Sequence, residues 1–447
     1  IPITLKDHHN EKKIGQIEEE LKSHLSREQI THLAKQSGFV QRVRDIHPHS
    51  LLLSLLRCFS THQVHEISGL HRSFVKDSSE KVTYSAFYEQ LSKTEFPDFA
   101  MAVYRSIGSQ LYVDQQDKIP SVFAEFEDVL LQDGSSWAIH ECLASVYPGR
   151  FTKTAPAAIE MHTLYSLKRA SYEVVAIAPD SVSEHDYIPQ PDWIDCRNKL
   201  FMYDAGYVNI PKLEKLGQAD GYYIVKAKSN TNPVIMAIHT GPSWTQRKRV
   251  GKKLRECPLK KGSDYDFQVQ MKGCDKKVYD LRLVLLWNPQ TKEHVRFLTN
   301  LPAERVTLKE IGQLYRLRWQ VELTYKELKS HTALVRFLTA NEAIVLGFVL
   351  LSLIAMQLRR YVVLSAEQLN PASRLSLHKA AISAVEFMPS LIGCLLKAGN
   401  GLKQVLLEIF FYLESTMKFS NPHRRSAFEK CQLERNEKLA LCQPSAA

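Results

Sequence analysis

The residues from Tyr315 to Lys329 combine side chains that can bind a phosphodiester with one that can bind a metal ion. Tyr315, Arg318, Glu322 and Lys329 fall within an arc of about 60° if each residue turns about 100° around a helix axis. Tyrosine, arginine and lysine can contact phosphate oxygens, and a glutamate among them can be a metal ligand. If this face is buried against other carboxylates, it predicts an active site that acts on a phosphodiester.

A purely structural interpretation of the same stretch is also open. Glu322 lies four residues before Lys326, a pairing that stabilises many exposed helices. The helix is predicted to begin near Thr307, where Thr307 and Glu310 fit a capping box. Apolar neighbours would cover much of it: Leu314, Leu317, Trp319, Val321 and Leu328. A buried carboxylate needs a partner or a metal, so this pattern favours a functional role for Glu322.

Two aspartates upstream follow apolar runs that have the composition of strands. Asp133 comes after residues 126–132, and Asp204 comes after residues 200–203. Each is also an ordinary turn residue, so neither identifies a site alone. Three carboxylates in one pocket repel one another unless hard divalent cations hold them, and two such ions about 4 Å apart can support in-line phosphoryl displacement. Asp133, Asp204 and Glu322 are therefore the predicted catalytic and metal-binding residues.

The composition of this 447-residue chain favours a soluble protein of several domains with a polyanionic partner. The formal net charge is +10 and the pI is about 9.0, which points to nucleic acid, with a membrane surface as the rival partner. The eight cysteines include no C-x-x-C pair, so zinc-finger spacing is absent and a reducing cytosol is indicated. The apolar run 343–358 is shorter than the roughly 20 residues of a spanning helix. We expect it to be a buried core helix, with no membrane association.

Hydrophobic spacing and turn signals divide the chain into five segments. Residues 1–120 are predicted to form a helical region, which is either a small module that binds DNA ends, the favoured interpretation, or a plain helical cap. Residues 121–228 contain five strands of a catalytic core. Residues 229–305 are predicted to be a β-rich, basic insertion, and 306–340 carry the catalytic helix that completes the core. Residues 341–447 form a second helical region, which is a candidate for dimerisation.

The densest positive charge in the chain lies in the predicted insertion. Six cations occur close together: Arg247, Lys248, Arg249, Lys252, Lys253 and Arg255. Charge runs are usually solvated surface. Beside a phosphodiester site, however, such a run predicts contacts with the DNA backbone, and these contacts would make binding weaken steeply as salt rises.

Taken in their order along the chain, these motifs resemble a known family. The two aspartates and the later glutamate look like the DDE triad of cut-and-paste insertion-sequence transposases. The tyrosine, arginine, glutamate and lysine between positions 315 and 329 have the spacing of the YREK signature of the insertion-sequence-four family. The succession of a helical region, five strands, a β-rich insertion, a catalytic helix and a helical C-terminal region is also similar.

The resemblance implies an α/β fold in which a ribonuclease-H-like mixed sheet carries the insertion between helical flanking regions. It further implies cleavage of transposon ends that depends on Mg²⁺, with Mn²⁺ as a substitute ion, and attack of the freed 3′-hydroxyl on target DNA. The triad would hold the metals, and four nearby residues would contact DNA: Tyr315, Arg318, Lys326 and Lys329. The implied partners are double-stranded terminal repeats, target DNA and a second copy of the chain, in the bacterial cytoplasm at the nucleoid.

One position departs from the family pattern. Relatives that excise through a DNA hairpin carry a tryptophan on the strand before the catalytic helix, and Val295 stands where it is expected. Phe297, Trp287 and Trp244 are candidate substitutes, because any aromatic face can stack on a base. The sequence leaves the hairpin route open. It also leaves two alternative functions, a metal-dependent nuclease without strand transfer and a domesticated DNA-binding protein.

Overall fold

The computed structural model describes residues 8–61, 66–115, 123–241, 249–318, 339–370 and 375–417.

The first described region is helical, as its apolar spacing predicts. Helix starts coincide with polar caps: Ser26 accepts a hydrogen bond from the backbone of Gln29, and Thr83 accepts one from Ala86. The helices are α1 (His8–His24), α2 (Arg27–Gln36), α3 (Pro48–Phe59), α4 (Ile67–Ser78), α5 (Tyr84–Leu91) and α6 (Phe96–Gln110). Their apolar faces are buried in one cluster with the last helices of the chain and with one face of the central sheet.

A mixed sheet of nine strands forms the centre of the described structure, in the order β3-β2-β1-β4-β5-β9-β8-β7-β6. The strands are β1 (Asp128–Ala138), β2 (Ala158–Ser166), β3 (Ser171–Pro179), β4 (Lys199–Tyr203), β5 (Tyr222–Ala227), β6 (Val234–Thr240), β7 (Tyr265–Lys272), β8 (Val278–Asn288) and β9 (Glu293–Thr299). Two further helices accompany them, α7 (Ile210–Gln218) and α8 (Leu308–Arg316).

The first five strands have the arrangement of a ribonuclease-H-like core. Strands β1, β2 and β3 form an antiparallel meander, whereas β4 and β5 run parallel to β1. Because parallel neighbours need a crossover, α7 lies between β4 and β5 in sequence and packs on the sheet. The predicted mixed α/β fold with flanking helical regions is confirmed.

The structure corrects the predicted end of β1. We expected this strand to stop at Asp133 and turn at Gly134, but it continues to Ala138. The reason is its long antiparallel partner, since β2 pairs Asp133 with Thr163 and Gly134 with His162. Asp133 is therefore an internal strand residue, whereas Asp204 follows the last residue of β4 as predicted.

Strand alternation separates the side chains of the sheet onto two faces. On one, here called the α8 face, Leu131 and Met202 pack with Leu314 of α8. On the other, the α7 face, Leu130 and Phe201 pack in a second cluster with α7. The two faces have different chemistry around β1 and β4, and the candidate site lies on the first.

The strands after β5 extend the same sheet. Strand β9 pairs antiparallel with β5, and β8, β7 and β6 follow outward as antiparallel neighbours. A β-rich segment was predicted here, and its strands share both hydrophobic clusters with the first five. In the described residues these strands therefore form one continuous sheet with the core.

The C-terminal region is helical again. Its helices are α9 (Glu342–Leu369), α10 (Leu377–Ser383), α11 (Met388–Leu396) and α12 (Leu402–Thr416). Helix α9 is long and apolar enough to cross a membrane, but 89% of its most apolar window is buried inside the protein, against α6 and α3 among others. This burial confirms the prediction of a core helix for residues 343–358.

Candidate active site

The two predicted aspartates lie at the same level on the α8 face. In the parallel pair of β1 and β4, Leu131 is opposite Met202. Asp133 and Asp204 each come two residues later, so both side chains point to the face of Leu131 and Met202. Because neighbouring strands are about 4.8 Å apart, the two carboxylates occupy one small region at the carboxyl end of β4.

Helix α8 brings basic and phenolic groups to this region. It begins at a capping box, in which Thr307 accepts a hydrogen bond from the Glu310 backbone and Glu310 accepts one from the Thr307 backbone. This confirms the start predicted from the sequence. Ile311 and Leu314, both fully buried, fix the apolar side of the helix against the sheet. Tyr315 in the last turn is thereby directed at the aspartates.

Tyr315 and Arg318 each contact one aspartate. The Tyr315 hydroxyl donates to Asp204 Oδ1 at 3.3 Å, and Arg318 Nη1 lies 3.5 Å from Asp133 Oδ2. Burial raises the pKa of Tyr315 well above its usual range, although the Arg318 charge opposes this, so the phenol keeps its proton. The arginine also lies over the Tyr315 ring, with 5.7 Å between its guanidinium carbon and the ring centroid. The four groups form one connected polar cluster.

Lys226 is a site residue that sequence reasoning missed. In β5 it comes two residues after Ile224, which is opposite Met202, so it lies on the α8 face at the level of Asp204. Its side chain is exposed within an otherwise buried strand. A lone exposed lysine in the apolar run 222–227 was the available signal, but only the strand register shows that it neighbours the aspartates.

The donor set fits a hard divalent cation. Asp133 and Asp204 offer carboxylate oxygens, which Mg²⁺ and Mn²⁺ prefer, and the Asp133 side chain keeps 21% of its surface exposed. Among the described residues, no group of three or more histidine, cysteine or acidic side chains could hold a metal. Glu322, the third predicted ligand, lies outside the described residues.

The α7 face of the same strands carries a different polar cluster. Glu160 and His162 of β2 lie beside Gly134, where a β-carbon would stand 2.4 Å from Glu160 Oε1. Burial and the Glu184 charge raise the pKa of Glu160 to about 7, although Arg150 opposes this. Burial lowers the pKa of His162 to about 4. Its Nδ1 lies 3.0 Å from the Tyr207 hydroxyl.

The structure limits the candidates for base stacking next to the site. Val295 and Phe297 lie on the α8 face of β9, and Phe297 is covered by the Tyr315 ring at 4.8 Å between centroids. Trp287 pairs with His294 on the α7 face, so it points away from the aspartates. Trp244 lies outside the described residues. Of the candidate substitutes, Phe297 shares the correct face but is only 4% exposed.

One predicted DNA contact is wrong, because Arg249 is a core residue. Its side chain is 3% exposed, lies over the Tyr265 ring at 5.0 Å and donates to the carbonyl of Pro258 at 2.7 Å. These contacts hold the guanidinium inside the protein, although its Nε has no hydrogen-bond partner among the described residues. Lys252, Lys253 and Arg255 are exposed, and Arg255 also donates to the Asn230 carbonyl.

Several predicted residues lie outside the described part of the chain. They are Arg247, Lys248, Glu322, Lys326 and Lys329. Of the four residues predicted for one helix face, Tyr315 is in α8 and Arg318 follows its end by two residues.

Comparisons with known proteins agree with this geometry. A family model described as the transposase DDE domain matches residues 124–358, more than half of the chain. The transposase for insertion sequence element IS231F of Bacillus thuringiensis subsp. israelensis is 22% identical over 354 residues, which cover 70% of this chain and 72% of that protein. The transposase for insertion sequence element IS1151 of Clostridium perfringens is 20% identical over 362 residues, with 71% and 74% covered.

A ribonuclease-H-like sheet whose neighbouring strands β1 and β4 bring two aspartates to one level of one face is typical of enzymes that act on nucleic-acid phosphodiesters. The chain belongs to the DDE transposases, within the insertion-sequence-four family, and is a DNA transposase. Enzymes of this family cleave DNA and transfer the cut strand.

Proposed function

We propose that this transposase moves its element by a cut-and-paste route. It cleaves the element ends with water, which leaves a 3′-hydroxyl, and that hydroxyl then attacks a target phosphodiester and displaces its 3′-oxygen. The observation that supports this most is the position of Asp133 and Asp204 at one level of the α8 face, each in contact with a group from the α8 segment. Both steps are in-line displacements at phosphorus, so one site serves both.

Asp133, Asp204 and Glu322 are the proposed metal ligands. When bound, Mg²⁺ or Mn²⁺ would supply activation of the attacking oxygen and neutralisation of charge on the phosphate. The all-oxygen character of the described ligands supports this choice of ion. Asp133 and Asp204 are also the proposed catalytic residues together with Glu322.

The proposed role of the basic groups is to hold phosphates. Arg318 has a guanidinium with five donors, so it can exchange Asp133 for a phosphate that it binds through two parallel hydrogen bonds. Tyr315 remains a hydrogen-bond donor because its pKa is raised. Lys226 would contact the DNA backbone beside Asp204, and Lys326 and Lys329 would extend this contact.

The other regions have proposed roles that follow from charge and position. Helices α1 to α6 are proposed to bind element ends, and residues 341–447 to support a dimer in the synaptic complex. The insertion would contact the DNA backbone through Lys252, Lys253 and Arg255, together with Arg247 and Lys248. With a net charge of +10, the protein is proposed to act on the nucleoid in the bacterial cytoplasm.

One assay tests the proposal. The full chain is incubated with Mg²⁺, a labelled duplex that carries the terminal repeat of its own element, and a supercoiled plasmid. We expect cleaved ends and joined plasmid products. Cleavage without joining would show that the protein is a nuclease without strand transfer. A gel shift without cleavage would show that it is a DNA-binding protein. Glu322→Gln should stop cleavage and keep the gel shift; a variant that still cuts would show that the triad is misassigned.

A further inference from the structure

A buried ion pair lies on the α8 face, two strands beyond β5. Arg282 of β8 and Asp266 of β7 are 4% and 2% exposed. Arg282 Nε donates to Asp266 Oδ1 at 3.0 Å, and Nη2 donates to Oδ2 at 2.7 Å. This bidentate contact fixes the plane of the guanidinium and leaves Nη1 directed away from the carboxylate.

The remaining guanidinium nitrogen, Nη1, hydrogen-bonds to both ends of the loop between β9 and α8. Nη1 donates to the Leu301 carbonyl at 2.8 Å and to the Val306 carbonyl at 2.9 Å. Because one nitrogen serves both carbonyls, the two ends of the loop are held together. Leu301 and Val306 are each 1% exposed, so their carbonyls have little access to water as an alternative donor. Thr307, the N-cap of α8, follows directly.

We infer that Arg282, oriented by Asp266, is the positioning residue of the catalytic helix. It fixes the point at which α8 begins and thereby the placement of Tyr315 and Arg318 against the two aspartates. This inference rests on the proposed function of the site. Helix α8 has nine residues and rises about 1.5 Å per residue, so a tilt of about 5° at its start displaces its end by about 1 Å. Displacements of that size in an active site can slow a reaction about 100-fold.

The two halves of the contact have separable roles. The carboxylate of Asp266 compensates the buried charge of Arg282 and orients its guanidinium, whereas the two carbonyl contacts reach the helix start. Removing one charge alone would leave the other buried and unpaired, which destabilises folds strongly. Removing both charges together is often tolerated when apolar residues of similar volume replace them. A double replacement therefore restores the core but not the loop closure.

The test uses the full chain with Arg282→Met and Asp266→Leu combined. We expect a thermal midpoint several degrees below that of the wild type, because two buried carbonyls lose their donor. Binding of the terminal-repeat duplex should stay within about threefold, and single-turnover cleavage of the bound duplex should be slower by about 100-fold. Backbone amides of residues 303–316 should exchange hydrogen faster. If the double variant cleaves bound DNA at the wild-type rate, whatever its stability, Arg282 does not position α8 and the inference is wrong.

A second variant covers the case in which the double replacement does not fold. Arg282→Lys keeps the charge beside Asp266 but cannot reach the carboxylate and both carbonyls with one nitrogen. We expect it to fold and to cleave bound DNA about 10-fold more slowly. Wild-type cleavage by this variant would overturn the inference. Leu391→Ala in α11, a fully buried site far from α8 in sequence, controls for lost stability and should cleave bound DNA at the wild-type rate.

These outcomes are distinct from failure of the proposed function. If the wild-type protein does not cleave terminal-repeat DNA, the proposed function fails first. If the wild type cleaves and the double variant cleaves equally well, the proposed function is supported and the inference about Arg282 is wrong.

Discussion

The two faces of β1 and β4 carry the same kinds of residue in different environments. On the α8 face, the two aspartates contact Tyr315 and Arg318, and Lys226 is exposed beside them. On the α7 face, polar groups hydrogen-bond to one another around two buried carboxylates, those of Glu160 and Asp180, although Arg150 itself is exposed. The other members are Ser136, His162 and Tyr207. For the strand residues among them, alternation along the strand decides the face.

The difference lies in whether a substrate could take over the contacts. The carboxylates of Glu160 and Asp180 are buried and accept hydrogen bonds from the side chain and the backbone of Arg150, which itself is 47% exposed. The raised pKa of Glu160 and the lowered pKa of His162 both favour neutral forms. On the α8 face, by contrast, the partners of the aspartates are groups that also bind phosphate. A DNA phosphate can therefore replace the aspartate as the partner of the basic group, which suits a site that binds DNA.

The largest expected effect comes from neutralising the α8-face aspartates. Asp133→Asn and Asp204→Asn should each reduce cleavage of terminal-repeat DNA by more than about 1,000-fold, because each removes a metal ligand. Binding of the duplex should change by less than about threefold, since the basic groups remain. The measurement is single-turnover cleavage in Mg²⁺ together with fluorescence anisotropy.

The matched control is Glu184→Gln on the α7 face, whose carboxylate lies where a β-carbon of Gly206 would stand. It also removes a negative charge beside Gly206, two residues after Asp204, and we expect cleavage within about fivefold of the wild type. If Glu184→Gln lost as much cleavage as Asp133→Asn and Asp204→Asn, the two faces would not differ in their importance for cleavage.

A smaller effect on cleavage should follow from a side chain added at Gly134, which lies next to Asp133 but faces the α7 side of the sheet. A β-carbon at Gly134 would meet Glu160 Oε1 at 2.4 Å and His162 Nδ1 at 3.2 Å. Gly134→Ala should therefore destabilise the fold by about 1–3 kcal/mol. It should also slow cleavage about 30-fold through displacement of the adjacent Asp133. Thermal melting and single-turnover cleavage measure the two effects.

The second-site variant Glu160→Ala tests the cause of that loss. Combined with Gly134→Ala, it makes room for the new methyl group, so the double variant should cleave faster than Gly134→Ala alone. Strictly additive losses in the two variants would show that the close approach to Glu160 is not the cause.

Lys226→Gln should have a moderate effect on the α8 face. One lost phosphate contact predicts about 10-fold lower cleavage efficiency and a salt dependence of binding reduced by about one ion. Lys215→Gln, at an exposed position of α7, removes the same charge from the other side of the sheet. If both variants have the same salt dependence, Lys226 is not part of the DNA-binding surface.

Sequence patterns predicted the elements better than the relations between them. The capping box at Thr307 and the aspartate after β4 were correct, because both depend on neighbours in sequence. The continuation of β1 past Asp133 depends on its pairing with β2, which local composition does not encode. Lys226 and Arg249 likewise depend on register and burial: one cation lies at the site and the other lies in the core.

The smallest expected effect concerns pH and the α7 face. Burial and Glu184 raise the pKa of Glu160 from its ordinary value of 4.5 to about 7. Folding therefore favours the protonated form, so this contribution to stability is complete below pH 4.5 and is lost as the pH rises through about 7. Glu160→Gln imitates the protonated form at every pH. It should match the wild type at pH values near 5 and exceed its thermal midpoint by a few degrees near 8.

Thermal melting of both proteins across this range measures the difference, and Glu214→Gln on α7 controls for the removal of a negative charge. Cleavage by Glu160→Gln should stay within about threefold of the wild type, because Glu160 lies on the opposite face from Asp133. A midpoint difference that is constant with pH would show that Glu160 does not take up a proton on folding. A large loss of cleavage would instead show that the two faces act as one site. The connection would be β1, which carries Asp133 and pairs with β2, the strand that carries Glu160.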